Sequence, residues 1–163
     1  MKTRNSALIA AAGVLTLSAG LALAAPGEPG HSHKSFAAGE PGDPVKPVAR
    51  TIEVTMKETE DAKMLFEPNK VEIKRGEQVK FVLKNGGKVD HEFMLDSVAN
   101  NAKHKIQMEK NPDMEHDDPN GKRLAPSGAD DIVWRFTKAG TYEFACLIPG
   151  HYESGMHGIV VVK

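Results

Sequence analysis

The C-terminal stretch Thr141–Lys163, "TYEFACLIPGHYESGMHGIVVVK", holds the chain's only cysteine, and its reading decides the fold. Tyr142, Phe144 and Cys146 share one parity, as residues on one face of a strand do. The Cys146 side chain is therefore expected to point inward at the end of a sheet. "GIVVVK" closes the chain as a last strand. Between the two strands, Pro149, Gly150, Ser154 and Gly155 supply loop chemistry, and His151 and Met156 sit on that loop.

The same period of two recurs towards the N-terminus. Ile52, Val54 and Met56 alternate with Glu53, Thr55 and Lys57. Val71 and Ile73 repeat the pattern, and Val79, Phe81 and Leu83 make a further strand closed by Asn85-Gly86-Gly87. His91, Phe93 and Leu95 share one parity, as do Ile132, Trp134 and Phe136. Seven short strands separated by turn residues predict an all-β domain over residues 50–163, an antiparallel β-sandwich of a size that sustains one core. One segment departs from the alternation. Residues 98–111, "VANNAKHKIQMEKN", have helix-forming composition and stop at Asn111-Pro112, which predicts a short helix inserted between strands. "PDMEHDDPNG" (112–121) follows as a polar loop.

The N-terminus reads as an export signal. Lys2 and Arg4 precede an apolar run from Ala7 to Leu23, and Ala22-Leu23-Ala24 has the small-x-small form of a signal-peptidase site. The run is short for a membrane span and no basic anchor follows it, so residues 1–24 are expected to leave and no span to remain. Residues 25–49 are rich in proline and glycine and poor in apolar residues, which predicts a flexible tether carrying His31 and His33. The chain has 21 basic and 22 acidic residues and no long basic run, which argues against a nucleic-acid partner.

Export makes the lone Cys146 informative. A secreted chain with one cysteine forms no internal disulfide, so the thiol pairs with another chain, stays free, or binds something. Taken singly, Cys146 reads as a small buried hydrophobe, His91 as a hydrogen-bonded core histidine and Met156 as packing. Taken together, a thiolate, an imidazole and a thioether are soft-to-borderline donors that suit copper far better than magnesium or calcium. A trigonal His₂Cys set with a weak axial methionine is the ligand set of blue-copper electron transfer. It requires a second histidine, and His91 is the natural candidate, inward by parity and placed just after a strand and its turn.

On these residues the sequence resembles the cupredoxins, the family of azurin, plastocyanin and rusticyanin. "TYEFACLIPGHYESGMHGIVVVK" is similar to their C-terminal strand–loop–strand, with four residues in each gap of the Cys–His–Met loop. "FEPNKVEIKRGEQVKFVLKNGGKVDHEFML" (66–95) is similar to their N-terminal half, which ends in the first histidine ligand. The resemblance implies a Greek-key β-sandwich with a type 1 copper ion at one end, held by His91, Cys146, His151 and, axially, Met156. It implies a redox partner that docks near His151, among Leu147, Ile148, Pro149 and Tyr152. A multi-electron copper enzyme would need further His-rich centres, and the only His-x-His, His31-Ser32-His33, lies in the expected tether, so catalysis is not expected. Two departures are visible. Azurin-like members have glycine before the first histidine, where this chain has Asp90. Many members also place asparagine after that histidine and threonine or serine after the cysteine, tying the two loops; here Glu92 and Leu147 stand there, and the tie is expected to be missing.

A second soft set lies in the insertion. His104 and Met108 are one helical turn apart, with Met114 and His116 in the loop beyond, a set that suits Cu(I) if the methionines are more than core filler. "PDMEHDDPN" also resembles a subset of exported bacterial cupredoxins linked to copper tolerance. That likeness implies a periplasmic protein that handles copper as well as passing single electrons. The alternative is a dedicated electron carrier.

Overall fold

The computed structural model describes residues 35–114 and 118–163. The signal expected over 1–24, together with His31, His33 and His116, lies outside the described residues. In chain order the elements are β1 (Glu40–Pro41), β2 (Arg50–Glu58), β3 (Met64–Glu67), β4 (Lys70–Ile73), β5 (Gln78–Asn85), β6 (His91–Asp96), α1 (Val98–Lys110), β7 (Gly121–Leu124), β8 (Ala129–Arg135), β9 (Gly140–Ala145) and β10 (His157–Val162).

These strands form two five-stranded sheets, ordered β1-β8-β5-β2-β3 and β4-β10-β9-β6-β7. The alternation decides which side chains meet between them. Val54, Met56, Phe81, Leu83 and Trp134 from the first sheet join Val71, Phe93, Leu95, Phe144 and Val160 from the second in one core. Its centre is aromatic. Phe93 stacks on Phe144 with centroids 5.3 Å apart, and Phe66 meets Phe144 edge-on at 5.1 Å. Burying each ring contributes roughly 1.5–3 kcal/mol.

The sandwich is mixed and not wholly antiparallel, as the alternation alone suggested. β2 runs parallel to β5, and β4 runs parallel to β10. The cause is the crossover: after β3 the chain passes to the other sheet as β4, then returns as β5 beside β2. Three strands carry no period-two signal. β1 has two residues, one of them a proline; β3 is Met-Leu-Phe-Glu; β7 is the edge strand Gly-Lys-Arg-Leu.

β6 is buried along its whole length, because both of its faces are covered. Phe93 and Leu95 enter the main core, while Met94 joins Met108, Ala145 and Leu147 in a second cluster beneath α1. The helix starts where predicted: Ser97 caps it, its Oγ accepting from the Asn100 N–H at 3.2 Å. Asn101 anchors it to β9, its amide donating to Glu143 Oε1 at 3.1 Å.

The part of the expected tether that lies among the described residues is structured. From Ser35 the chain lies against the first sheet, with β1 paired to β8 and Phe36 packed edge-on to Trp134 at 5.1 Å. Trp134 Nε1 donates to the Ala38 carbonyl, Gly42 N–H to that of Val133, and Gln78 bonds Asp43 in both directions. Backbone pairing and two or three small anchors hold this strap, so few apolar residues are needed.

Candidate metal centre

Three element ends meet at one end of the sandwich: the start of β6, the end of β9 and the end of β2. β6 and β9 are antiparallel, with Met94 opposite Ala145, so His91 comes to the region that Cys146 enters on leaving β9. The loop from Cys146 to Met156 closes on itself. Cys146 N–H donates to the Met156 carbonyl at 3.1 Å, Met156 N–H to that of His151 at 3.1 Å, and His151 N–H to that of Ile148 at 3.0 Å. Gly150, at φ +87°, makes the turn that sends the chain back from Pro149 to His151, a conformation that favours glycine. Met64 N–H donates to the Ser154 carbonyl and pins the loop to β3.

The result is one point of convergence. A nitrogen of His91, the sulfur of Cys146 and a nitrogen of His151 all lie within 4.8 Å of one another. Cys146 Sγ is 3.3 Å from His151 Nδ1, and the His91 and His151 rings meet edge-on with centroids 5.2 Å apart. His91, Cys146 and Met156 are fully buried, whereas His151 is half-exposed.

Burial sets the charge states. It pushes the Cys146 thiol up to about 12, against the pull of the Glu92 and Ile148 N–H groups. It lowers the pKa of both His91 and His151, so both imidazoles are neutral at pH 7 and keep a lone pair for a metal. His91 Nδ1 is buried without a hydrogen-bond partner among the described residues. A buried ring nitrogen left in that state is costly unless something else takes its lone pair. With the Cys146 sulfur and a second imidazole beside it, the donor set fits copper.

A model of the copper-binding proteins of the plastocyanin/azurin family matches residues 52–163. The chain belongs to that family. The copper-resistant cuproprotein CopI of Rubrivivax gelatinosus is 44% identical over 161 residues, spanning 92% of this chain and 94% of that protein. A copper-resistant cuproprotein CopI of Pseudomonas aeruginosa is 36% identical over 144 residues, spanning 71% and 77%. Among solved structures, auracyanin B superposes with a TM-score of 0.62 at 21% identity, covering 78% of this chain and 96% of that one. Reduced auracyanin from Roseiflexus castenholzii does so with a TM-score of 0.59 at 22% identity, covering 72% and 99%. At these identities the structural likeness shows the fold, a cupredoxin sandwich. Type 1 copper is the cofactor of this family.

Within this cupredoxin, the two loops are tied after all. Glu92 N–H donates to Cys146 Sγ at 3.3 Å, and Leu147 N–H donates to Glu92 Oε2 at 3.2 Å. A carboxylate and a backbone amide make the link expected of asparagine and a hydroxyl residue. Glu92 is itself buried, and burial pushes its carboxyl up to about 7 against the Leu147 N–H. Asp90, where azurin-like chains have glycine, turns its carboxylate to Arg123 at 3.3 Å.

Sequence reading missed Glu58. It ends β2 on the parity of Ile52, Val54 and Met56, an inward-facing charge at a strand end, and that parity was the available signal. Its Oε1 lies 3.1 Å from His91 Nε2.

The second soft set has a different setting. Met108 is fully buried against Met94, Ala145 and Leu147, and Met114 packs on the same cluster. His104 lines a cavity of about 130 Å³ with Met94, Asp96, Asn101, Asp118 and Asn120.

Proposed function

We propose that this chain is an exported copper protein of the cell envelope that serves copper tolerance and single-electron transfer. His91, Cys146 and His151 would hold the metal, with Met156 as a further, weaker donor. The observation that carries this reading is the convergence of three donors on one point, one of them a buried imidazole nitrogen with no other partner among the described residues. The tolerance role is supported by relatives that are copper-resistance cuproproteins, one spanning nearly the whole chain.

Copper, when bound, supplies a one-electron couple between its +2 and +1 states. The chain's own residues do the rest. Hydrogen bonds across the 146–156 loop, from Met64 to Ser154, and between Glu92 and Leu147 hold the donors in place before the metal arrives. Cys146 must give up its thiol proton to ligate, and its buried position keeps that thiol protonated and unreactive until then. His91 is sealed inside, and half-exposed His151 is the path by which an electron leaves towards a docked redox partner. We read the chain as a binding and electron-transfer protein and not as an enzyme.

The test combines metal counting, a visible spectrum and growth. The copper-loaded protein is expected to hold one tightly bound copper with an intense thiolate-to-copper band, and a deletion strain to be copper-sensitive. No thiolate band would refute the site. A normal band with a copper-indifferent deletion strain and fast exchange with a carrier cytochrome would favour a dedicated electron carrier, a reading that the exposure of His151 supports. Steady turnover of oxygen or nitrite by the purified protein would make it an enzyme.

A further inference from the structure

We infer that Glu58 is a positioning residue for His91: its carboxylate locks the imidazole in the tautomer that offers Nδ1 to the metal, and its charge biases the site towards oxidised copper. The inference rests on the copper reading above and concerns a residue from a different strand.

Three observations carry it. First, Glu58 Oε1 lies 3.1 Å from His91 Nε2, while the same carboxylate accepts from the Lys88 N–H at 3.1 and 3.0 Å and from the Val89 N–H at 3.2 Å. Second, an ionised carboxylate only accepts hydrogen bonds, so Nε2 carries the imidazole proton. A neutral ring has one N–H, so the lone pair is on Nδ1, the atom buried with no hydrogen-bond partner among the described residues. Third, the loop is shaped around this contact. A Cβ on Gly87 would fall 2.5 and 2.7 Å from the two Glu58 oxygens and 2.8 Å from His91 Nε2, so any side chain there would push the carboxylate away from the imidazole. Buried Asn85 holds that loop by accepting from the Gly87 N–H and donating to the Val89 and Leu124 carbonyls, each at 2.8 Å.

The neighbouring carboxylate does not compete, since Asp90 is turned to Arg123. Glu58 thus completes a carboxylate–histidine–metal arrangement, in which the outer carboxylate raises the basicity of the ligand. It also places a negative charge one imidazole away from the metal, which favours the more positive oxidation state.

The test is Glu58→Gln in the full chain. Glutamine keeps the length and can still accept from His91, but it removes the charge. The thiolate-to-copper band should survive, while copper affinity falls roughly 10- to 100-fold, with Cu(II) losing more than Cu(I). The potential should rise accordingly, by about 59 mV per tenfold for a one-electron couple. An unchanged or lowered potential with a normal band would overturn the role of Glu58 and leave the copper site standing. Nitrogen-15 NMR of the copper-free wild type needs no variant: His91 should carry its proton on Nε2, and a proton on Nδ1 would overturn the inference. Absence of the thiolate band in the wild type would refute the copper reading itself.

Discussion

The β6–β9 pair presents soft side chains at two places, and the two are built differently. At the strand ends, Cys146, His91 and His151 bring three donor atoms within 4.8 Å, with a buried imidazole nitrogen facing inward. On the outer face, Met94 and Met108 meet Ala145 and Leu147 under α1, and the shared chemistry is apolar packing. Residue type is therefore a weak guide to ligation. What distinguishes the first place is that polar donors are buried together, held by loop hydrogen bonds, and one has no hydrogen-bond partner among the described residues.

The contrast is open to attack from both sides. Cys146→Ser should abolish the intense thiolate-to-copper absorption outright, and a surviving band would remove the centre from the strand ends. Met108→Ala should lower stability by about 2–5 kcal/mol, the range for emptying a buried methionine site, while the copper band stays where it was. Denaturant melts and visible spectra of the same sample decide this. A bleached spectrum at unchanged stability would give the helix-side methionines a ligand role.

Proton linkage provides a further test. The Cys146 thiol, raised to about 12 by burial, is protonated in the copper-free chain and ionised when it ligates. Both imidazoles have lowered pKa values and stay neutral at and above pH 7. Binding then releases one proton, so apparent copper affinity should fall about tenfold, or ~1.4 kcal/mol, for each unit that pH drops from about 9 to 7. Competition titrations at three pH values measure the slope, and a flat line contradicts the protonated thiol. Smallest is Ser97→Ala, which removes the α1 cap and should cost about 1 kcal/mol with no spectral change.

Much of this contrast was readable in the residues. Each of the seven strands with clean alternation is present, and α1 ends at Lys110 with Asn111 as its cap, ahead of Pro112. β3 and β7 escaped because Met-Leu-Phe-Glu and Gly-Lys-Arg-Leu do not alternate apolar with polar residues, and residues 35–49 because backbone pairing holds them in place of a run of apolar residues. The Cys146–His151–Met156 spacing announced the loop, since candidate ligands close in sequence leave a pattern. Glu58 announced itself only by parity, because its partner His91 lies 33 residues away. The link through Glu92 and Leu147 was invisible for another reason: one of its partners is a backbone amide, which any residue supplies. Packing under α1 likewise depends on tertiary position, which helical spacing of His104 and Met108 does not encode.

The most direct test of the central claim is X-ray absorption at the copper edge of the loaded protein, which counts the donors around the metal. One short sulfur and two nitrogens are predicted, with the sulfur lost in Cys146→Ser. A shell of oxygen and nitrogen alone, unchanged by that substitution, would contradict the assignment.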